Sequence, residues 1–185
     1  MDIINVIEKY FPPETDSYKI YIQHVKAVAN AVEKICDYNK HLNIDKSFVK
    51  NAALLHDIGI CMVDAPKLHC YGFVPYIQHG IMGRLILEDE KLEEYALVCE
   101  RHIGTGIFKD DIISNKLPLP IKDMYPISIE EKVVAYADKF FSKSQNELAK
   151  PKAIEDIKND IAKYGKKHLI IFDEWCKLFG YKYIY

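Results

Sequence analysis

The chain has 185 residues, 49% of them hydrophobic and 28% charged, with 25 basic against 27 acidic side chains for a formal charge of −2. This balance excludes a disordered chain and lacks the strongly basic face that a nucleic-acid binder needs, while a chain of this length buries roughly 70% of its unfolded surface and needs neither disulfides nor structural zinc to fold. No apolar run reaches the ~18–20 residues of a membrane span, the start MDIINVIEKYFPPE is not a basic-then-apolar leader, and five cysteines without a CxxC pair point to a reduced, cytoplasmic protein.

Taken in chain order, the first strong pattern is helical. Tyr21, Val25, Val28, Val32 and Ile35 recur at steps of three and four over residues 17–37, after an Asp16/Ser17 cap. His24 lies on this helix beside Val25 and Val28, as a satisfied core histidine or as a ligand. Asp45 or Ser47 caps a second helix through Phe48, Ala52 and Leu55, stopped by Gly59. His56 and Asp57 stand at its end, after an apolar run, where they either cap the helix or reach one ion beside its terminus. Residues 60–75 form a long loop that mixes apolar and polar side chains and is a candidate lid; its Cys61 and Cys70 lack zinc-pair spacing.

Helices over 77–87 and 92–102 follow, with His79 and His102 each at a helix end near a glycine. Residues 117–126 form a second loop, rich in proline. Ser128-Ile129-Glu130-Glu131 is a capping box that opens the helix 133–141. Within that helix Asp138 has Val134, Ala137 and Phe141 at i−4, i−1 and i+3, so its carboxylate points toward the core. An unpartnered carboxylate there costs several kcal/mol, so a salt bridge, a rotated helix or a cation must answer it. Two further helices, 151–164 and 167–179, join at Gly165, and the tail YKYIY alternates like a short strand that could pack on a partner or be loose. His41 and His168 lie in polar surroundings and receive no role.

These elements describe one all-α domain, residues 1–185, with a core at about 17–143 and a helical extension over 144–185. His24, the His56–Asp57 pair, His79, His102 and Asp138 each sit on a different helix, near an apolar face or a helix end. A bundle that points one such group inward from each helix builds a metal site in its core, and imidazole with carboxylate suits iron, zinc or manganese.

The order H…HD…H…H…D, with the HD inside LLHDIG, resembles the HD-domain superfamily of metal-dependent phosphohydrolases, in its HDIG branch, over residues 17–143. The segments DAPKLHCYGFVPYIQHG, VCERHIGTGI and LPLPIKDMYPISIEEKVVAYADKFFSK are similar to a small stand-alone subgroup. The resemblance implies an all-α bundle of about seven to nine helices around two divalent transition-metal ions, Fe or Mn first and Co, Ni or Zn otherwise. It implies His24, His56, Asp57 and Asp138 as ligands of the first ion and Asp57, His79 and His102 as ligands of the second, with Asp57 as the bridging, catalytic carboxylate.

The activity so implied is hydrolysis of a small phosphate ester or nucleotide through a metal-bridging hydroxide, with no nucleic-acid or membrane partner. The same ligand pattern also occurs in mixed-valent di-iron oxygenases of this fold, which cleave C–C or C–P bonds, and a nucleotide-binding regulator without turnover is a third option. One departure stands out. Many HDIG proteins carry a lysine directly after the glycine, where this chain has Ile60. Substrate contacts then fall to Arg101 and Lys139, which adjoin ligands, and next to Arg84, Lys67, Lys143 and the loop histidine His69.

Overall fold

The computed structural model describes residues 2–144 and 150–185. Among these lie nine α-helices: α1 Ile3–Tyr10, α2 Asp16–Tyr38, α3 Lys46–Leu55, α4 His79–Asp89, α5 Glu93–Arg101, α6 Lys109–Asn115, α7 Ile129–Asp138, α8 Ile154–Ala162 and α9 Lys166–Phe179. The expected all-α fold is therefore found, with one addition. Inside the 60–75 loop, β1 (Asp64–Ala65) and β2 (Cys70–Tyr71) form a two-residue antiparallel hairpin. Among the described residues no helix is long and apolar enough to cross a membrane.

The central element is α2. Thr15, one residue earlier than the expected cap, accepts from the Tyr18 amide at 3.1 Å. The helix buries Tyr21, Val25, Val28, Val32 and Ile35, the stripe read from the sequence. Alanines 27, 29 and 31 are also buried, and such small residues let α3 and α7 pack closely along two sides of α2. Burying a Val or Ile side chain contributes about 1.5–3 kcal/mol, so this stripe fixes the helix that carries His24. Hairpin α4–α5 packs through α5 on α3 and α7.

Two helices were not expected. Helix α1 is only eight residues long and would be marginal alone. It is held by its Asp2 cap, by buried Val6 and Ile7, and by Phe11, which stacks on Tyr21 at 4.3 Å. Helix α6 ends on Lys116 in the left-handed conformation, φ 50°, a place where glycine is the usual sequence sign. Helix α7 starts earlier than expected, at Ile129. Ser128 accepts from the Glu131 amide at 3.1 Å, but Glu131 returns its carboxylate to the Ile127 amide at 2.7 Å instead of closing the box on Ser128. Helix α8 begins at Ile154 because residues 151–153 are extended, with the Lys152 amide donating to the Phe140 carbonyl at 2.7 Å.

The tail is neither a strand nor loose. Tyr183 stacks on Tyr38 at 4.3 Å, Asn39 Nδ2 donates to the Tyr183 hydroxyl at 2.7 Å, and Ile184 is buried. Ile184 is thus spent on the chain itself, while Tyr185 remains exposed. The same end of the fold is fastened by Tyr136 of α7, fully buried, whose hydroxyl donates to the Gly180 carbonyl at 2.9 Å.

Gly59 does more than stop α3. A Cβ there would lie 2.0 Å from the His79 carbonyl oxygen and 2.3 Å from the Gly83 amide nitrogen, so the turn after α3 and the start of α4 touch backbone to backbone. Gly59→Ala is expected to destabilise the fold by about 3 kcal/mol or more, because neither backbone can yield without repacking α4. Urea unfolding of the variant against wild type measures this.

Candidate metal centre

Six side chains meet where α2, α3, α4, α5 and α7 converge. His24 comes from the middle of α2, His56 and Asp57 from the C-terminal end of α3, and His79 from the first position of α4. His102 follows the last residue of α5, and Asp138 is the last residue of α7. All six are at most 6% exposed. Helix ends supply five of the six positions, which is why residues adjacent in sequence, His56 and Asp57, can both face one point.

The ligand atoms form two groups. In the first, His24 Nε2 lies 3.2 Å from Asp57 Oδ2 and 3.0 Å from Asp138 Oδ1, and His56 Nε2 lies 3.2 and 3.4 Å from the same oxygens. In the second, His79 Nε2 and His102 Nε2 lie 3.5 and 3.4 Å from Asp57 Oδ1 and 3.1 Å from each other. Asp57 therefore turns one oxygen to each group. Atoms that share an ion at ~2.0–2.2 Å are spaced ~3–3.5 Å apart, so both groups have the spacing of a coordination shell.

Three rings are aimed by the same device. Nδ1 of His56, His79 and His102 faces the carbonyl of the residue three earlier, Ala53, Tyr76 and Cys99, at 2.7, 2.7 and 2.8 Å. A carbonyl only accepts, so each Nδ1 bears hydrogen and each Nε2 is directed inward, the arrangement that orients metal-binding histidines. Burial pushes His79 down to about 3, against the opposing charge of Asp57, and lowers His102 as well. Both are neutral near pH 7, with Nε2 lone pairs that repel unless a cation joins them.

Burial alone would also lower His56, but the negative charges and hydrogen bonding of Asp57 and Asp138 outweigh it and push it up to about 9. Asp57 and Asp138 stay well below the usual carboxylate range: burial opposes this, and Lys143 with His56 and Lys139 with Lys143, respectively, prevail. Beyond these ion pairs, His24 Nε2, His56 Nε2, Asp57 Oδ1 and Asp138 Oδ1 lack a well-formed hydrogen bond. Buried polar atoms placed so are costly. A donor set of imidazoles and carboxylates fits divalent transition metals in both positions.

The proposed substrate contacts are placed unevenly. Lys139 Nζ lies 2.8 Å from Asp138 Oδ2, and Lys143 Nζ lies 2.7 Å from Asp57 Oδ2 and 3.7 Å from Asp138 Oδ1. Both line a cavity of about 560 Å³ that opens beside Asp138. Arg101 instead turns to Glu131, at 3.0 Å, and Arg84 is held by Glu88 and Glu100 at 2.7 and 3.0 Å; neither lines the cavity. Lys67 sits in the turn Pro66–Leu68, and His69 follows it in the left-handed conformation. The candidate lid is folded as short turns and the hairpin, and it sets Ile60, Leu68 and Cys70 beside His24 and Asp57.

His168, which has no role in the sequence reading, is buried on the cavity wall, with Thr105 and Asp111 beside it. No local pattern marks it, because its partners lie 57 and 63 residues away in the chain.

The family model of the HD domain matches residues 21–142. Among curated proteins, an uncharacterised protein of Methanocaldococcus jannaschii is 44% identical over 104 residues, covering 54% of this chain and 52% of the relative. A tRNA (cytidine(56)-2'-O)-methyltransferase of Picrophilus torridus is 31% identical over 171 residues, 87% of this chain and 43% of the relative. The corresponding methyltransferase of Thermoplasma volcanium is 33% identical over 153 residues, 78% and 40%. The chain thus spans about half or less of the length of the curated relatives it matches. Among solved structures, the HD domain of the L. monocytogenes phosphodiesterase PgpH superposes with a TM-score of 0.54 at 14% identity, covering 94% of each chain; this is a likeness of fold.

Proposed function

Because the chain belongs to the HD-domain family, we propose that it is a metal-dependent phosphohydrolase that cleaves a small phosphate ester or nucleotide at a dinuclear centre. The observation that carries the reading is Asp57, whose two carboxylate oxygens face two separate groups of buried histidine nitrogens. His24, His56, Asp57 and Asp138 would hold one ion, and Asp57, His79 and His102 the other. Two such ions supply Lewis acidity toward phosphoryl oxygens and acidify water for attack at neutral pH.

The chain's own residues add positioning and charge. Lys139 holds Asp138 Oδ2, which leaves Oδ1 directed at His24 and His56. Burial would lower Lys143, but Asp138 and Asp57 hold its pKa well above the usual lysine value, so it remains an ammonium at the boundary between the centre and the cavity. There the two lysines offer donors to the non-bridging oxygens of a phosphate and take the place of the lysine absent at Ile60. With net charge −2 and a cavity of about 560 Å³ beside the centre, a small substrate suits the site better than a polynucleotide.

A hydrogen bond to a charged group is worth about 1.5–3 kcal/mol. Lys143→Ala is therefore expected to lower kcat/KM about 10–100-fold for phosphate esters, which steady-state kinetics would register. The reading as a whole is tested by a screen of phosphate mono- and diesters with Mn, Fe or Co added. Metal-dependent phosphate release supports it. Oxygen uptake by the anaerobically iron-loaded protein, without phosphate release from any ester, would replace it with an oxygenase.

A further inference from the structure

The family match ends at residue 142, yet the cavity beside the metal centre is walled on its far side by residues that come later. Ile157, Asp160 and Ile161 of α8, Tyr164 just after it, and His168 of α9 all border it. Thr105, in the loop that follows His102, joins this wall through His168 at 2.8 Å. We propose that this C-terminal wall sets substrate specificity: it receives the organic group of the phosphate ester, and the Thr105–His168–Asp111 chain recognises a hydrogen-bond donor on that group. The proposal rests on the phosphohydrolase reading above.

The direction of the hydrogen bonds follows from what each group can do. Asp111 Oδ2 lies 3.3 Å from His168 Nε2, and a carboxylate only accepts, so Nε2 carries the proton. In that tautomer Nδ1 accepts, and Thr105 Oγ1, at 2.8 Å, donates to it. That leaves the lone pairs of Thr105 Oγ1 for a ligand, so the wall presents an acceptor. Thr105 and His168 are 2% and 7% exposed, which limits competition from water. The loop is not free to slide away, since Gly106 has φ +107° and a Cβ there would lie 2.3 Å from Tyr125 Cβ.

Size and charge complete the argument. A cavity of about 560 Å³ is in the range of small-molecule sites and far exceeds what a phosphate fills. Lys139 and Lys143 mark its anionic end. Lys152 and Lys163 also border it, with Lys163 paired to Asp160 at 2.6 Å, and apolar Ile157 and Ile161 lie between. The ligand that matches is an ester with phosphate at one end and N–H or O–H donors at the other, as in a sugar phosphate or a nucleotide. A plain hydrocarbon ester leaves Thr105 unanswered.

The test compares kcat/KM for a panel of sugar phosphates and nucleoside monophosphates with that for phenyl phosphate, and titrates the dephosphorylated form of the best ester as a ligand that cannot be hydrolysed. Two variants are used: His168→Phe, which removes the acceptor chain, and Asp160→Trp, which fills the cavity from an exposed position of α8. Wild type should prefer the best donor-bearing ester by about tenfold or more, because a site built to hydrogen-bond a donor rejects ligands that lack it. Both variants should lose that preference and the affinity for the dephosphorylated ligand, while bound metal stays as in wild type. A wild type without preference, or both variants retaining it, overturns the proposal. Absence of hydrolysis of every ester, with the dephosphorylated ligand still bound through the wall, strikes the phosphohydrolase reading instead.

Discussion

Asp57→Ala should abolish turnover, by about 10⁴-fold or more, and should do so by emptying both metal positions rather than one. The carboxylate is shared: Oδ2 stands 3.2 Å from both His24 and His56 Nε2, and Oδ1 stands 3.5 and 3.4 Å from His79 and His102 Nε2. Among the described residues Asp57 is the one ligand shared by both groups. Its removal also leaves Lys143, now 2.7 Å away, facing the histidines as a bare cation, which opposes the entry of any ion. The accompanying thermal signature is specific. A ligand that binds only the folded state raises the melting temperature, so added Mn or Fe should stabilise wild type and leave Asp57→Ala unmoved.

His79→Ala and His102→Ala should each lower turnover by about 10²-fold or more, because one of two electrophilic ions is lost and with it several kcal/mol of charge stabilisation. Each ring is a ligand of the Oδ1 group alone, so the four ligands of the first group remain. The fold should tolerate these changes better than Gly59→Ala. The burial that pushes His79 down to about 3 means that a neutral ring is removed, and no buried charge is stranded.

Two members of the centre were legible because they break a pattern, and the set of six followed from the order H…HD…H…H…D. His24 interrupts the apolar stripe of α2, and Asp138 sits where Val134, Ala137 and Phe141 mark a buried face; such places need a partner. The helices that carry the six residues were legible for the same reason, since their long apolar stripes are set by burial. Other features had no local mark. Helix α1 is made by Phe11 and Tyr21 meeting across ten residues, and α6 ends on a lysine rather than a glycine. Arg101 adjoins His102 in sequence, yet adjacent helical positions diverge by ~100°, and it turns to Glu131 instead. Lys143 lies beyond the end of α7, where the chain bends back toward Asp57, so spacing alone could not rank it above Arg101. Gly59 read as a helix stop, whereas its larger duty is to let α4 approach.

The central claim is that one carboxylate joins two ions, and metal content per chain tests it most directly. Wild type, His79→Ala and Asp57→Ala, purified alike and loaded with Mn or Fe, are compared by elemental analysis. The account predicts about two ions, one ion and none, respectively. Two ions retained in His79→Ala, or full occupancy in Asp57→Ala, would contradict it.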